Sequence, residues 1–202
     1  MNTPSPALDI TEHDLPLDLS QVFSNKAESA LEIGFGDGDF LIEMASRKAE
    51  WNFVGIEIKE KRFRKAVKRA ESEKIKNVKF LVMDARIALK EVFSPSTFRE
   101  VYINFPDPWP KARDKKHRII NSDFLENLSR IMKPKGALEV ASDHEEYLSY
   151  IQGVVDKTVI FKRAFPPPAY LSSLPDRPQT KYEMEFKKKG KEIYYLRFVR
   201  RD

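Results

Sequence analysis

The sequence predicts an α/β fold: a mostly parallel central sheet, helices on both faces, and an antiparallel strand at the C-terminal end. Three observations point there. Short apolar runs alternate with stretches of helical spacing from Glu28 to Ala141, the pattern of strand–helix–strand units. Acidic residues recur near the ends of those apolar runs, where open parallel sheets gather their ligand-binding groups. The rhythm then breaks, with two strand-like segments flanking a charged one, which a mixed sheet accommodates by antiparallel pairing.

Residues 1–26 read as a lead-in, with a short ordered contact expected around Leu15 to Phe23, and residues 27–202 as one domain. Ala30-Leu31-Glu32-Ile33 is a short strand running into Gly34-Phe35-Gly36-Asp37-Gly38. Phe40, Leu41, Met44 and Ala45 then fall at helical spacing. Trp51 to Glu57 is the next strand, and Phe63, Ala66, Val67 and Ala70 mark the buried stripe of a second helix whose outer face is crowded with Lys and Arg. Val78 to Asp84 is a third strand, followed by a helix from Ile87 to Val92. Val101-Tyr102-Ile103 leads into Pro106, and a helix is expected from Ser122 to Met132. Lys133-Pro134-Lys135-Gly136 reads as a turn before a strand from Ala137 to Ala141. Thr158 to Phe165 and Ile193 to Arg200 are the two late strands, with the charged Lys181 to Lys189 segment between them.

Composition limits the function classes. A length of 202 residues suits one domain with a substantial core. The net charge of +5 favours an acidic partner. With no cysteine there is no disulfide, no thiolate metal ligand and no cysteine nucleophile. His13, His117 and His144 are scattered without ligand spacing, so no metal is expected. No apolar run approaches the roughly 20 residues that span a bilayer. The first 20 residues are acidic and proline-punctuated, unlike a signal peptide, so no membrane contact and a cytoplasmic location are expected. Monomer and homodimer both stay open.

Glu32, Glu57, Asp84, Asp107 and Asp143 fall near strand ends. Like charges gathered on one rim oppose folding unless something offsets them, which points to a ligand. The glycines at 34, 36 and 38 let the backbone approach that ligand closely. Glu57, one unit downstream, is placed to accept hydrogen bonds from ribose hydroxyls. A dinucleotide fingerprint requires Gly or Ala where Asp39 stands, and Asp37 and Asp39 would repel a pyrophosphate at the helix N-terminus. Such acids suit a ligand with little phosphate and some positive charge. S-adenosylmethionine, with an adenosine, a sulfonium and an amino-acid end, has that profile.

The second motif is Asn104-Phe105-Pro106-Asp107-Pro108-Trp109-Pro110-Lys111. The two prolines around Asp107 stiffen the backbone that carries the acid. Arg113, Lys115, Lys116 and Arg118 follow, against a single acid, Asp114. A fixed carboxylate beside a cationic strip suggests chemistry on a polyanion, with nucleic acid the first candidate.

Taken together, Glu32-Ile33-Gly34-Phe35-Gly36, Gly55-Ile56-Glu57, Asp84-Ala85, Phe105-Pro106-Asp107-Pro108-Trp109 with Lys111, Ala141-Ser142-Asp143 and Arg177-Pro178-Gln179-Thr180-Lys181-Tyr182-Glu183 resemble the bacterial-type tRNA (guanine-N7-)-methyltransferases. The resemblance runs from about residue 30 to the C-terminus. It implies a Rossmann-like class I methyltransferase fold with S-adenosylmethionine contacted by Glu32, Glu57, Asp84 and Asp107 beside the turn of Gly34 and Gly36. It further implies tRNA as partner, with substrate contacts from Lys111, Asp143, Thr180, Lys181, Tyr182 and Glu183, and RNA contacts along Arg113, Lys115, Lys116, His117 and Arg118. The family methylates a guanosine in the variable loop, conventionally position 46, and releases S-adenosylhomocysteine.

Guanine N7 carries an accessible lone pair, so alignment and electrostatics suffice for that transfer, with no obligatory general base. Asp107 is the expected catalytic residue, stabilising positive charge that develops on the ring. Asp143 and Glu183 are expected to accept hydrogen bonds from the guanine N1–H and amino group, with Thr180 holding the same edge. Trp109 reads either as a stacking platform or as a core residue. Three rivals are weaker. The separated prolines of Pro106-Asp107-Pro108-Trp109 differ from the adjacent pair typical of amino-group methyltransferases. Asp39 and the acid-rich turn disfavour a nicotinamide-dependent oxidoreductase. A tRNA-binding module without catalysis has no need of five strand-end acids.

Overall fold

A computed structural model describes residues 5–202; residues 1–4 of the lead-in lie outside the described residues. The strands are β1 (Ser29–Ile33), β2 (Asn52–Glu57), β3 (Val78–Val82), β4 (Phe98–Asn104), β5 (Met132–Ser142), β6 (Phe161–Arg163) and β7 (Tyr194–Arg200). The helices are α1 (Leu19–Phe23), α2 (Asp39–Arg47), α3 (Glu60–Ser72), α4 (Ala85–Glu91), α5 (Ser122–Ile131), α6 (Glu145–Lys157) and α7 (Lys181–Lys188). One seven-stranded sheet runs in the order β3-β2-β1-β4-β5-β7-β6. β1 to β5 pair in parallel, and β7 is antiparallel to both β5 and β6. The mostly parallel sheet with an antiparallel C-terminal end is therefore as the sequence predicts.

The strands are apolar on both faces because helices cover both. Leu31, Ile33, Val54, Ile56, Val101 and Ile103 join one core cluster with residues of α4, α5 and α6. Ala30, Phe53, Phe80 and Tyr102 point the other way, into a cluster with α2 and α3. This is the period-2 alternation of a strand read out as two layers. α5 shows how a helix is fixed locally. Asn121 caps it by accepting from the Phe124 N–H at 3.0 Å, and Phe124, Leu125, Leu128 and Ile131 bury one face.

Several details differ from the sequence expectation. α6 was not anticipated, although Tyr147, Leu148, Ile151 and Val155 give a buried helical stripe behind the acidic first turn of Glu145 and Glu146. The charged Lys181 to Lys189 segment is largely a helix, α7. The Lys133 to Gly136 turn survives as a bulge inside β5. Phe98 pairs with Met132 but Glu100 pairs with Ala137, and Lys135 takes φ +60°. The late strand expected over Thr158 to Phe165 is only three residues long. The lead-in makes contacts earlier than Leu15: Phe80 N–H donates to Pro6 O and Leu8 N–H to Phe80 O, both at 2.8 Å, beside β3. Among the described residues, no helix is long and apolar enough to cross a membrane.

The chain order reverses between β1 and β4. In an open sheet that switch point opens a crevice beyond the carboxyl ends of the strands. Parallel pairing of β1 to β5 puts Glu32, Glu57, Asp84, Asp107 and Asp143 at that one edge.

Candidate active site

A cleft opens at the switch point. Its walls are Glu32 of β1, the turn from Gly34 to Asp37, Asp39 and Phe40 of α2, Arg62 of α3, Asn104 and Phe105 after β4, and Thr180, Lys181, Tyr182 and Glu185 around the start of α7. Six residues singled out from the sequence therefore meet here: Glu32, Gly34, Gly36, Thr180, Lys181 and Tyr182. Glu57 anchors the turn from below. Its Oε2 accepts from Gly36 N–H at 3.0 Å and its Oε1 from Lys59 N–H at 2.9 Å. Gly36 sits at φ +59°, where an L side chain is strained. Gly38, at φ +83°, would place a Cβ 2.7 Å from Ala66 Cβ, so its lack of a side chain lets α2 approach α3.

Glu32 is 1% exposed. Its Oε1 accepts from Asn104 Nδ2 at 2.7 Å, and its Oε2 has no hydrogen-bond partner among the described residues. Burial pushes its carboxyl up to about 7; the Asn104 bond and Arg177 oppose that, while Asp39 and Glu57 add to it. A buried carboxylate in the wall of a cleft, with one oxygen unpartnered, is a site for a cationic ligand group. The acids of the turn are already neutralised. Lys65 lies 3.2 Å from Asp37, and Lys181 lies 3.1 Å from Asp39, which Arg69 also contacts.

Asn104 is held by a residue to which sequence reasoning gave no role. Arg177, its side chain 6% exposed, donates to Asn104 Oδ1, to Glu139 Oε1 at 2.5 Å and to Glu183 Oε2 at 3.4 Å. The face of Phe40 lies 4.5 Å from its guanidinium. The signal was present: an arginine opening the Arg177-Pro178-Gln179-Thr180 segment, with acids on the neighbouring strand. Arg62 is the second omission; its guanidinium donates to the Tyr182 hydroxyl at 2.7 Å across the cleft.

The segment expected to hold substrate also has internal work. Thr180 Oγ1 accepts from Glu183 N–H at 3.0 Å, capping α7. Glu183 is 1% exposed, and its carboxylate accepts from Tyr195 and, at 2.7 Å, from Lys187. Through these bonds it ties α7 to β7. Tyr182 is exposed. Asp143 is paired with Lys191.

Asp84, Asp107 and Asp143 stand at the same edge, outside the walls of this cleft. Asp84 caps α4 through Arg86 N–H at 2.7 Å. Asp107 is exposed, and among the described residues no hydrogen bond or ion pair holds its carboxylate. Trp109 is 38% exposed with its ring 5.4 Å from that of His117, so it is not a core residue. The basic segment folds as a 3-10 helix, Ala112–His117. Lys111, Arg113, Lys116 and His117 are exposed on it or just before it, and Lys115 pairs with Glu146 at 2.6 Å. Arg118 departs from the expected RNA face. It is 2% exposed, because its guanidinium packs beside the neighbouring rings of Tyr147 and Tyr150 and is hydrogen-bonded inward.

Comparison with known proteins gives the family of the chain. A family model described as "Putative methyltransferase" matches residues 26–196. A tRNA (guanine-N(7)-)-methyltransferase of Thermotoga maritima is 36% identical over 195 residues, covering 93% of this chain and 61% of that protein. The chain thus spans about three fifths of that relative's length. A protein of the same name from Halorhodospira halophila is 33% identical over 96% of this chain and 83% of its own. Among solved structures, the 16S rRNA methyltransferase KamB superposes with a TM-score of 0.69 over 96% of both chains at 12% identity, a likeness of fold alone. With the family model and these relatives spanning nearly the whole of it, the chain belongs to the tRNA (guanine-N7-)-methyltransferase family.

Proposed function

We infer that the chain methylates N7 of a guanosine in the variable loop of tRNA, at position 46, using S-adenosylmethionine. Membership of the family carries this reading, and the cleft supports the cofactor. The free Oε2 of Glu32, the glycine turn that brings backbone close to the cleft, and the acid-rich edge all fit a ligand with a cationic amino-acid end. Glu32, Glu57, Asp84 and Asp107 are the residues that would hold it, beside Gly34 and Gly36. When bound, S-adenosylmethionine supplies an electrophilic methyl group on a sulfonium, and S-adenosylhomocysteine remains as product.

The chain's own residues then have three tasks. Glu32 neutralises the cofactor's ammonium, and Glu57 keeps the glycine turn in shape. Asp107, on its proline-stiffened turn, stabilises the positive charge that methylation leaves on the guanine ring. Because N7 offers its lone pair without losing a proton, no residue need act as a base. Lys111, Arg113, Lys116 and His117 present positive or polar groups to the tRNA backbone, which fixes register and supplies affinity. Asp143, Lys181 and Tyr182 stand on the substrate side, with Trp109 exposed for stacking.

The test is transfer of labelled methyl from S-adenosylmethionine to an unmodified tRNA transcript and to one with the variable-loop guanosine replaced by adenosine. Label on the first alone supports the reading. Equal label on both, or none on either, refutes it.

A further inference from the structure

The buried position of Arg118 leaves a basic residue of the strip without its expected partner. Its surroundings give it another task. Nε donates to the Pro108 carbonyl at 2.8 Å, and a terminal nitrogen donates to Glu146 Oε1 at 3.2 Å. The guanidinium carbon lies 5.0 Å from the Tyr147 ring centre and 4.6 Å from that of Tyr150. One planar cation therefore joins three elements: the turn after β4, the end of the 3-10 helix, and the first turns of α6. Only a guanidinium combines a fork of donors with flat faces for stacking.

The turn it holds needs holding. Phe105 and Trp109, neither a glycine, both sit in the left-handed region, at φ +51° and +42°. Such residues persist only where the surroundings over-determine them. Asp107 lies between these two, and nothing among the described residues fixes its carboxylate. Its position is therefore set by the backbone alone, and Pro108, the residue beside it, is the point at which Arg118 grips that backbone.

We propose that Arg118 is a positioning residue, a buried strut that fixes the Phe105–Trp109 turn and through it the place of the Asp107 carboxylate. The proposal rests on the methyltransferase reading for its kinetic consequence and on geometry alone for its structural one. Glu146 is shared: Lys115, half-exposed, reaches the same oxygen at 2.6 Å. The strut is thereby connected to the basic face without being part of it.

Two readouts test this separately. Trp51 and Trp109 are the chain's two tryptophans, so a Trp51→Phe background leaves Trp109 as sole reporter of the turn. There, Arg118→Met is expected to lower Trp109 anisotropy and raise its quenching by acrylamide. Unchanged anisotropy and quenching overturn the proposal, whatever reaction the protein performs. In the methyl-transfer assay, Arg118→Met is expected to reduce kcat at least tenfold at saturating tRNA and cofactor. The salt slope of tRNA binding is expected to stay at its wild-type value. A kcat within twofold of wild type overturns it, since a stability role alone moves unfolding and leaves turnover by folded protein intact. A slope reduced by about 0.7–0.9 also overturns it, by returning Arg118 to the phosphates. Should Arg118→Met not fold, Arg118→Lys is measured the same way. A lysine has a single point donor for two acceptors, so a partial loss of kcat is expected, and full wild-type turnover overturns the strut.

Discussion

Replacing Glu32 with Gln should make the free protein more stable and the cofactor site weaker, with a signature in pH. In the folded chain burial lifts the Glu32 carboxyl to about 7 from an ordinary 4.5. At about 1.36 kcal/mol per pH unit, ionising it in place costs about 3 kcal/mol relative to the unfolded chain. A group raised in this way contributes its stability below about pH 4.5, loses it progressively as pH rises to about 7, and changes little beyond. Glutamine keeps the acceptor for Asn104 Nδ2 and carries no charge at any pH. It introduces an amide donor where Oε2 has no partner, a penalty of about 1–2 kcal/mol. The expected net gain at pH 8 is thus about 1–2 kcal/mol, or roughly 3–6 °C in Tm for a chain of this size. At pH 5, where Glu32 is already neutral, the gain should vanish. Calorimetric unfolding of both proteins at the two pH values measures this. Titration with S-adenosylhomocysteine measures the other half: loss of a buried charge partner should weaken binding at least about 30-fold, or 2 kcal/mol. A variant no more stable than wild type at pH 8, or equal gains at both pH values, would refute the view of Glu32 as a carboxylate held ready for a cation.

Three further outcomes are expected. Asp107→Asn should lower kcat at least about tenfold, or 1.4 kcal/mol of barrier, with circular dichroism and Tm unchanged; wild-type turnover removes Asp107 from the chemistry. The exposed pair Arg113→Ala and Lys116→Ala should weaken tRNA binding and shrink its salt slope by about 0.7–0.9 for each phosphate that the protein no longer neutralises. An unaltered slope in a filter-binding series makes that face a solvated loop. Arg177→Met leaves Glu139 and Glu183 buried without their shared cation, which should cost about 3 kcal/mol of stability. The lower end of the usual range applies because Arg197 still reaches Glu139 at 3.2 Å. A loss below about 1 kcal/mol in urea unfolding, the ceiling for an exposed ion pair, contradicts the view of Arg177 as the central tie.

Where hydrophobic periodicity was dense, the fold was legible in the sequence. The apolar runs of β1, β2 and β3 and the stripe of α3 could be read directly, because strands covered on both faces are apolar along most of their length, with Glu32 and Lys79 as isolated interruptions. α6 was less legible, though its stripe is regular, because Glu145, Glu146, Asp156 and Lys157 bracket its apolar residues with charge and give the segment a loop-like composition. α7 was hidden in the same way: Lys181, Lys187 and Lys188 dominate its composition, and only Glu183, tied to Tyr195, gives it a buried side. At the site, residue type indicated which side chains matter but not which way they face. Glu32 and the glycine turn do line the cleft. Arg118 and Glu183 have the charge of surface contacts and the burial of core residues, because each has found partners inside. Long-range pairing of that kind, across 38 residues from Arg177 to Glu139, leaves no local trace in a sequence.

Everything said of the chemistry turns on guanine N7 of a tRNA variable loop being the methyl acceptor. An unmodified tRNA transcript methylated by the purified chain, then treated with the chemistry that cleaves at N7-methylguanosine, gives the position of the modified base. A single cleavage at position 46, absent when S-adenosylmethionine is withheld, is the expected result. Methyl incorporated without cleavage, or cleavage elsewhere in the tRNA, contradicts it.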